Sequence, residues 1–177
     1  MVQMSDLPIR PGVRPKTAAS GLHRQLSQQS HPSIWGHTCA ALFSLRRVVE
    51  GYSSLCTVST RAVFLEDVLT PHSEGTSLAP VGERLEPVHL HGVFDTSLHA
   101  CLPVDRAHEV CGLGWGEPHR YTGHETEIML YGPRNQEELR VVVGLVRESI
   151  AFARSRQSDE KSTHTPTPAL KRRKNQS

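Results

Sequence analysis

Pro87-Val88-His89-Leu90-His91 and, after a short break, Ser97-Leu98-His99-Ala100-Cys101-Leu102 decide how this chain folds. In both runs aliphatic residues alternate with polar ones at the period of a β-strand. Val88 and Leu90 share one face while His89 and His91 share the other; Leu98, Ala100 and Leu102 oppose Ser97, His99 and Cys101 in the same way. The connection from Gly92 to Thr96 is short enough to close an antiparallel hairpin. Facing side chains on one face of such a pair lie within about 5 Å of each other. The hairpin therefore presents an aliphatic face to a core and a histidine face away from it.

Downstream, Pro103 and Asp105 suit the first turn of a short helix with Val104, Ala107 and Cys111 on one stripe, ended by Gly112 and Gly114. A turn-rich segment, Gly114 to His119, leads to a strand in which Thr126, Ile128 and Leu130 alternate. Asn135 with Glu138 has the spacing of a capping box, and Leu139, Val142, Val143, Val146 and Ile150 continue a helix to about Ala153. Upstream, Ser33 is placed to cap a helix through Ile34, Ala41, Leu42, Leu45 and Val49 that Gly51 would end. Tyr52–Val58 and Ala62–Leu65 suit a second hairpin, and residues 67–84 a long loop. This order predicts an α+β fold: a single two-layer domain, an antiparallel β-sheet with helices packed on one face.

With 177 residues, 37% hydrophobic and 5% aromatic, the chain supports one modest core between two loose ends. Residues 1–32 carry Pro8, Pro11, Pro15 and Pro32 and read as an extended Pro-rich arm; residues 33–154 form the domain. Residues 155–177 read as a disordered basic tail, with six Lys and Arg against Asp159 and Glu160, or +4, which leaves −2 for the rest of a chain whose net charge is +2. The folded part is thus no basic nucleic-acid binder, and weak contact through Lys171–Lys174 is the only such contact expected. No apolar run is long enough for a membrane span, and the start does not read as a secretory signal. Four cysteines without a CxxC pair fit free thiols, and a cytoplasmic location is expected. Oligomeric state is not encoded in any visible pattern.

Six of the eleven histidines fall between residues 89 and 124. Imidazoles bind metals, exchange protons near neutral pH, or join strands by hydrogen bonds. The His89-Leu90-His91 spacing sets two rings about 7 Å apart on one face, within reach of one ion, and His99 supplies a third ligand from the facing strand. Glu117 and His119 join them if the Trp115 turn folds over that face. The alternative is a solvated outer face, where His is common. Ser97 two residues before His99 lacks a nucleophile elbow and suits cross-strand hydrogen bonding; Cys101 suits a small half-buried position. Trp115 either closes the end of the core or walls a ligand pocket.

His89-Leu90-His91, Asp95-Thr96-Ser97-Leu98-His99 with Leu102-Pro103, Gly114-Trp115-Gly116-Glu117-Pro118-His119, and Tyr131-Gly132-Pro133-Arg134 with Glu137-Glu138 are similar, in order, to motifs of the luciferase-domain family. The arm segments Leu7–Pro15 and His23–Gln28 resemble the proline-rich start of its bacterial members. Gly92 stands where the family usually has proline, and Thr96 replaces the glycine of its D-G-S. The resemblance implies that residues 33–154 are a luciferase-like domain. It also implies oxygenase-like chemistry on a small organic molecule without an organic cofactor, because fungal luciferase adds oxygen to a hydroxylated pyrone. Under that reading His89, His91, His99 and His119 supply base and hydrogen-bond donors and Glu117 orients a ring, while Trp115, Ser97 and Asp95 contact the substrate. A divalent metal on His89, His91 and His99 is the second reading, and a non-catalytic interaction module the third. An enzyme needs a concave pocket at the His face, whereas an interaction module needs a flat one.

Overall fold

The computed structural model describes residues 6–54, 60–66 and 75–163, with side chains through residue 155. Its elements are α1 (Pro32–Phe43), β1 (Val48–Tyr52), β2 (Arg61–Leu65), β3 (Val88–Leu90), β4 (Leu98–Cys101), α2 (Val104–Gly112), β5 (Gly116–Pro118), β6 (Glu127–Leu130) and α3 (Gln136–Thr163). The six strands make one antiparallel sheet in the order β1-β2-β3-β4-β6-β5. The α+β architecture expected from the alternation is the one observed.

Alternation along the strands sorts the side chains into two layers. Val63 and Leu65 of β2, Val88 and Leu90 of β3, Leu98 and Ala100 of β4, and Ile128 and Leu130 of β6 join one core with Leu42, Ala107, Val110, Val142, Leu145 and Val146 of the helices. Their in-between neighbours Ala62, His89, His99 and Met129 are buried yet lie outside that core. Register fixes this second row, since Ala62 pairs with His89, His89 with His99, His99 with Met129, and Met129 with Glu117.

Three boundaries differ from the sequence reading. α1 begins at Pro32 under a cap from His31 Nδ1, not Ser33, and stops at Phe43, where the Ser44 N–H donates to Ala40 O. Leu45 and Val49 were spaced for a continuing helix, but the β-branched pair Val48-Val49 starts β1 instead. Gly51 lies inside that strand, and a Cβ there would stand 2.6 Å from the Phe64 ring. Pairing with β6 draws Gly116–Pro118, read as a turn, into β5. α3 runs to Thr163, so the tail boundary at residue 155 falls within the helix. The Tyr52–Val58 strand lies partly, and Lys171–Lys174 wholly, outside the described residues.

The arm before α1 is part of the fold. Buried Arg10 donates to Glu138 and Gly132 O and stands over the rings of Trp115 and Tyr131. Residues 16–26 fold back on themselves, with Thr17 bridged to Gln25 and Leu26 N–H donating to Lys16 O. Gln25 then fastens this hook, its Oε1 accepting from Gly132 N–H and its own N–H donating to Asp95 Oδ1. The hook carries His23 onto the sheet.

Candidate functional site

The sheet face turned away from the helices forms the floor of a cavity of about 850 Å³. His23, His89, His91, His99, His119 and Glu127 line its interior, with Asp95 beside them. Leu22 of the arm, Val81, Phe94 and Tyr121 also line it and are all exposed, which gives the cavity an apolar mouth. The face is concave, as a small-molecule site requires.

The five imidazoles form a continuous chain of tilted and edge-on ring contacts, with centroid separations from 4.5 Å between His99 and His119 to 5.5 Å between His89 and His91. Carboxylates grip the outer nitrogens. His89 Nδ1 lies 2.8 Å from Glu86 Oε1, His91 Nδ1 2.7 Å from Asp95 Oδ2, and His23 Nε2 2.6 Å from Glu117 Oε1. Glu127 stands 3.5 Å from His119 Nδ1 and 3.9 Å from His99 Nδ1. By contrast, among the described residues His23 Nδ1, His89 Nε2, His99 Nε2 and His119 Nδ1 are buried and find no hydrogen-bond partner.

Burial is the first cause of the electrostatics here. It pushes His99 well below the ordinary imidazole value, aided by the neighbouring rings, and takes His119 down to about 4. It also lowers His89, against the pull of Glu86. Burial raises Glu127 to about 7. Asp95 goes the other way: burial would raise it, but His91, Ser97 and the Gln25 N–H together hold it low. Burial likewise works against Glu117, which His23, Thr17 and Tyr131 keep low. At neutral pH the rings of His89, His99 and His119 are thus neutral, and the carboxyls of Asp95 and Glu117 are ionised.

The structure brings His89, His91, His99 and His119 together and adds Asp95 at their edge. Ser97 is fully buried and its hydroxyl donates to Asp95 Oδ1 at 2.5 Å, so it braces the His91–Asp95 pair and does not face the cavity. Cys101 is buried, and burial with Glu127 and Glu86 nearby holds its thiol well above the ordinary value, as suits a packing residue. Trp115 is not a pocket wall: it is buried in the core with Nε1 donating to Pro8 O. Glu117 does orient an imidazole, but that ring is His23 of the arm.

Three site residues went unseen in the sequence: His23, Glu86 and Glu127. Glu127 was within reach, since alternation around Ile128 and Leu130 sends it to the histidine face. His23 lies on irregular chain, and only its tertiary hook places it. Thr96 shows why the family pattern has glycine at this turn, since its φ is +60°. Its hydroxyl accepts from Ser30 N–H at 2.8 Å, which ties the strained turn to the arm.

Residues 84–149 match the family model described as luciferase domain. Over 165 residues, 84% of this chain, the sequence is 29% identical to a luciferase of Armillaria gallica. It is similarly 30% identical over 168 residues to a luciferase of Neonothopanus nambi and 28% over 165 to one of Armillaria mellea. The chain spans about three fifths of the length of these relatives, 62% for the first. No solved structure matches it.

Proposed function

Because the chain belongs to the luciferase-domain family, we propose that it is a small-molecule enzyme of oxygenase-like chemistry whose histidine floor acts as general base. The observation that carries this reading is the His91–Asp95 pair at the cavity wall, 2.7 Å apart. Asp95 fixes the Nδ1–H of His91, which leaves Nε2 to accept a proton from an acidic substrate O–H or C–H. Low-pKa His99 and His119 stay neutral beside it and can donate or accept hydrogen bonds without adding positive charge. The deprotonated substrate, electron-rich and shielded by the apolar mouth, is then the species that reacts with oxygen.

The test is oxygen uptake by purified protein with a panel of hydroxypyrone-like compounds. Turnover that falls about 10²–10⁴-fold in His91→Asn, with the fold retained by circular dichroism, supports the assignment. Uptake that His91→Asn and Asp95→Asn leave unchanged removes it.

A further inference from the structure

We infer that His23, His99 and His119 form a binding site for one divalent transition-metal ion, closed by the N-terminal arm and open to the cavity. One ring nitrogen from each of the three lies within 4.8 Å of the others. All three also have a buried nitrogen that finds no hydrogen-bond partner among the described residues, His23 Nδ1, His99 Nε2 and His119 Nδ1. His23 and His99 are only 4% and 5% exposed. An unmade hydrogen bond at a buried polar atom needs an explanation, and three such atoms on rings that meet in one place share a single one. A zinc ion about 2.1 Å from each imidazole nitrogen sets the nitrogens about 3.4 Å apart. Small ring rotations therefore close the site.

The surroundings are those of a metal site. A ligating imidazole is usually held at its other nitrogen by a carboxylate or carbonyl, which sets its tautomer and raises its basicity. His23 has that support from Glu117, which is itself fixed by the hydroxyls of Thr17 and Tyr131. The Glu127 carboxylate stands beside His119 and His99, where it can accept a hydrogen bond from a metal-bound water. Three imidazoles with an open position toward a cavity suit zinc or ferrous iron, and without a thiolate nothing selects a softer ion. The neighbouring group His89, His91 and His99 is also close enough to share an ion. There, however, His91 contributes no orphaned nitrogen, and His91 with Asp95 already forms a base pair. His99 Nε2 can serve one ion, and the arm-side group completes the larger set of unsatisfied atoms.

The experiment strips the full chain with a chelator and titrates it with Zn²⁺ and, anaerobically, with Fe²⁺, reading bound metal by elemental analysis after desalting. One equivalent is expected, together with a higher melting temperature, since the ion ties arm to sheet. His23→Gln and His119→Gln should each weaken binding by more than about 100-fold, and Glu117→Gln by about 10–100-fold, whereas His91→Gln should leave it within a few fold. His119→Gln, at the partly exposed edge, and Glu117→Gln keep the test valid if His23→Gln does not fold. Absence of binding with both ions, binding that survives the His23 and His119 variants, or binding that His91→Gln abolishes as fully as they do would each overturn the site. Metal is read without activity, so a chain that binds the ion but consumes no oxygen keeps this site and loses the oxygenase reading.

Discussion

On the helix side of the sheet Val88, Leu98 and Ile128 are enclosed by apolar neighbours, whereas one pleat away His89 and His99 are also buried, each with a ring nitrogen that finds no partner among the described residues. The first face gains about 1.5–3 kcal/mol for each large aliphatic side chain taken from water. The second loses about 1–3 kcal/mol for each buried polar atom left unsatisfied. Burial therefore means opposite things on the two faces. Burial on the helix side stabilises the fold, and burial of the histidines costs it stability.

This contrast can be broken most severely at neighbouring positions of β4. Leu98→Ala opens a cavity under α3 and should lower stability by about 2–5 kcal/mol, measured by urea denaturation. His99→Leu exchanges a buried imidazole, unpaired at Nε2, for an aliphatic of similar volume. It should raise stability by about 1–2 kcal/mol in the presence of chelator, while oxygen uptake is lost. A large loss of stability in His99→Leu would show that the histidine face supports the fold after all.

The next effect is on pH dependence, again with chelator present. His119 titrates at about 4 in the folded chain against an ordinary 6.5, and His99 and His89 are also lowered. As pH falls from 6.5 toward 4, the unfolded chain takes up protons that these buried rings refuse, so stability falls. Glu127 opposes this trend. Its pKa is raised from 4.5 to about 7, so its contribution is present at low pH and is lost as pH rises across that interval. Three imidazoles against one carboxyl give a net rise of stability with pH up to about 6.5. Glu127→Gln removes the opposing group, and melting curves between pH 4 and 7 should steepen. A flatter profile in that variant would count against the buried neutral floor.

The apolar face was the legible one. Alternation in residues 88–91, 97–102 and 126–130 needs only local sequence, and it yielded three of the six strands and the hairpin register that sets His89 opposite His99. β5 was hidden because Gly116-Glu117-Pro118 has turn composition and becomes a strand only by pairing with β6. α1 was overextended because Leu45 and Val49 keep helical spacing past the point where pairing with β2 takes over. On the other face, spacing reveals the histidines of the strands but not His23, whose place depends on contacts across 94 residues of chain such as His23 to Glu117. The two readings of Trp115 stay open in the sequence for the same reason, since only the docking of Pro8 shows which side of the sheet it serves.

The smallest effect tests whether the faces are independent. Asn135 Oδ1 accepts from the N–H groups of Glu137 and Glu138 at 3.0 and 2.9 Å, which satisfies the first turn of α3. Asn135→Ala should cost about 1 kcal/mol and leave turnover within about twofold, because α3 touches only the helix side of β3 and β4. One route connects the two sides: Glu138, in that same first turn, receives Arg10 and Arg134, and Arg10 belongs to the arm that carries His23. If Asn135→Ala lowers turnover tenfold at unchanged metal content, the cap is felt through Arg10 and the arm. The sheet would then not insulate its two faces, and Glu138→Gln, which cuts that route directly, should lower turnover further.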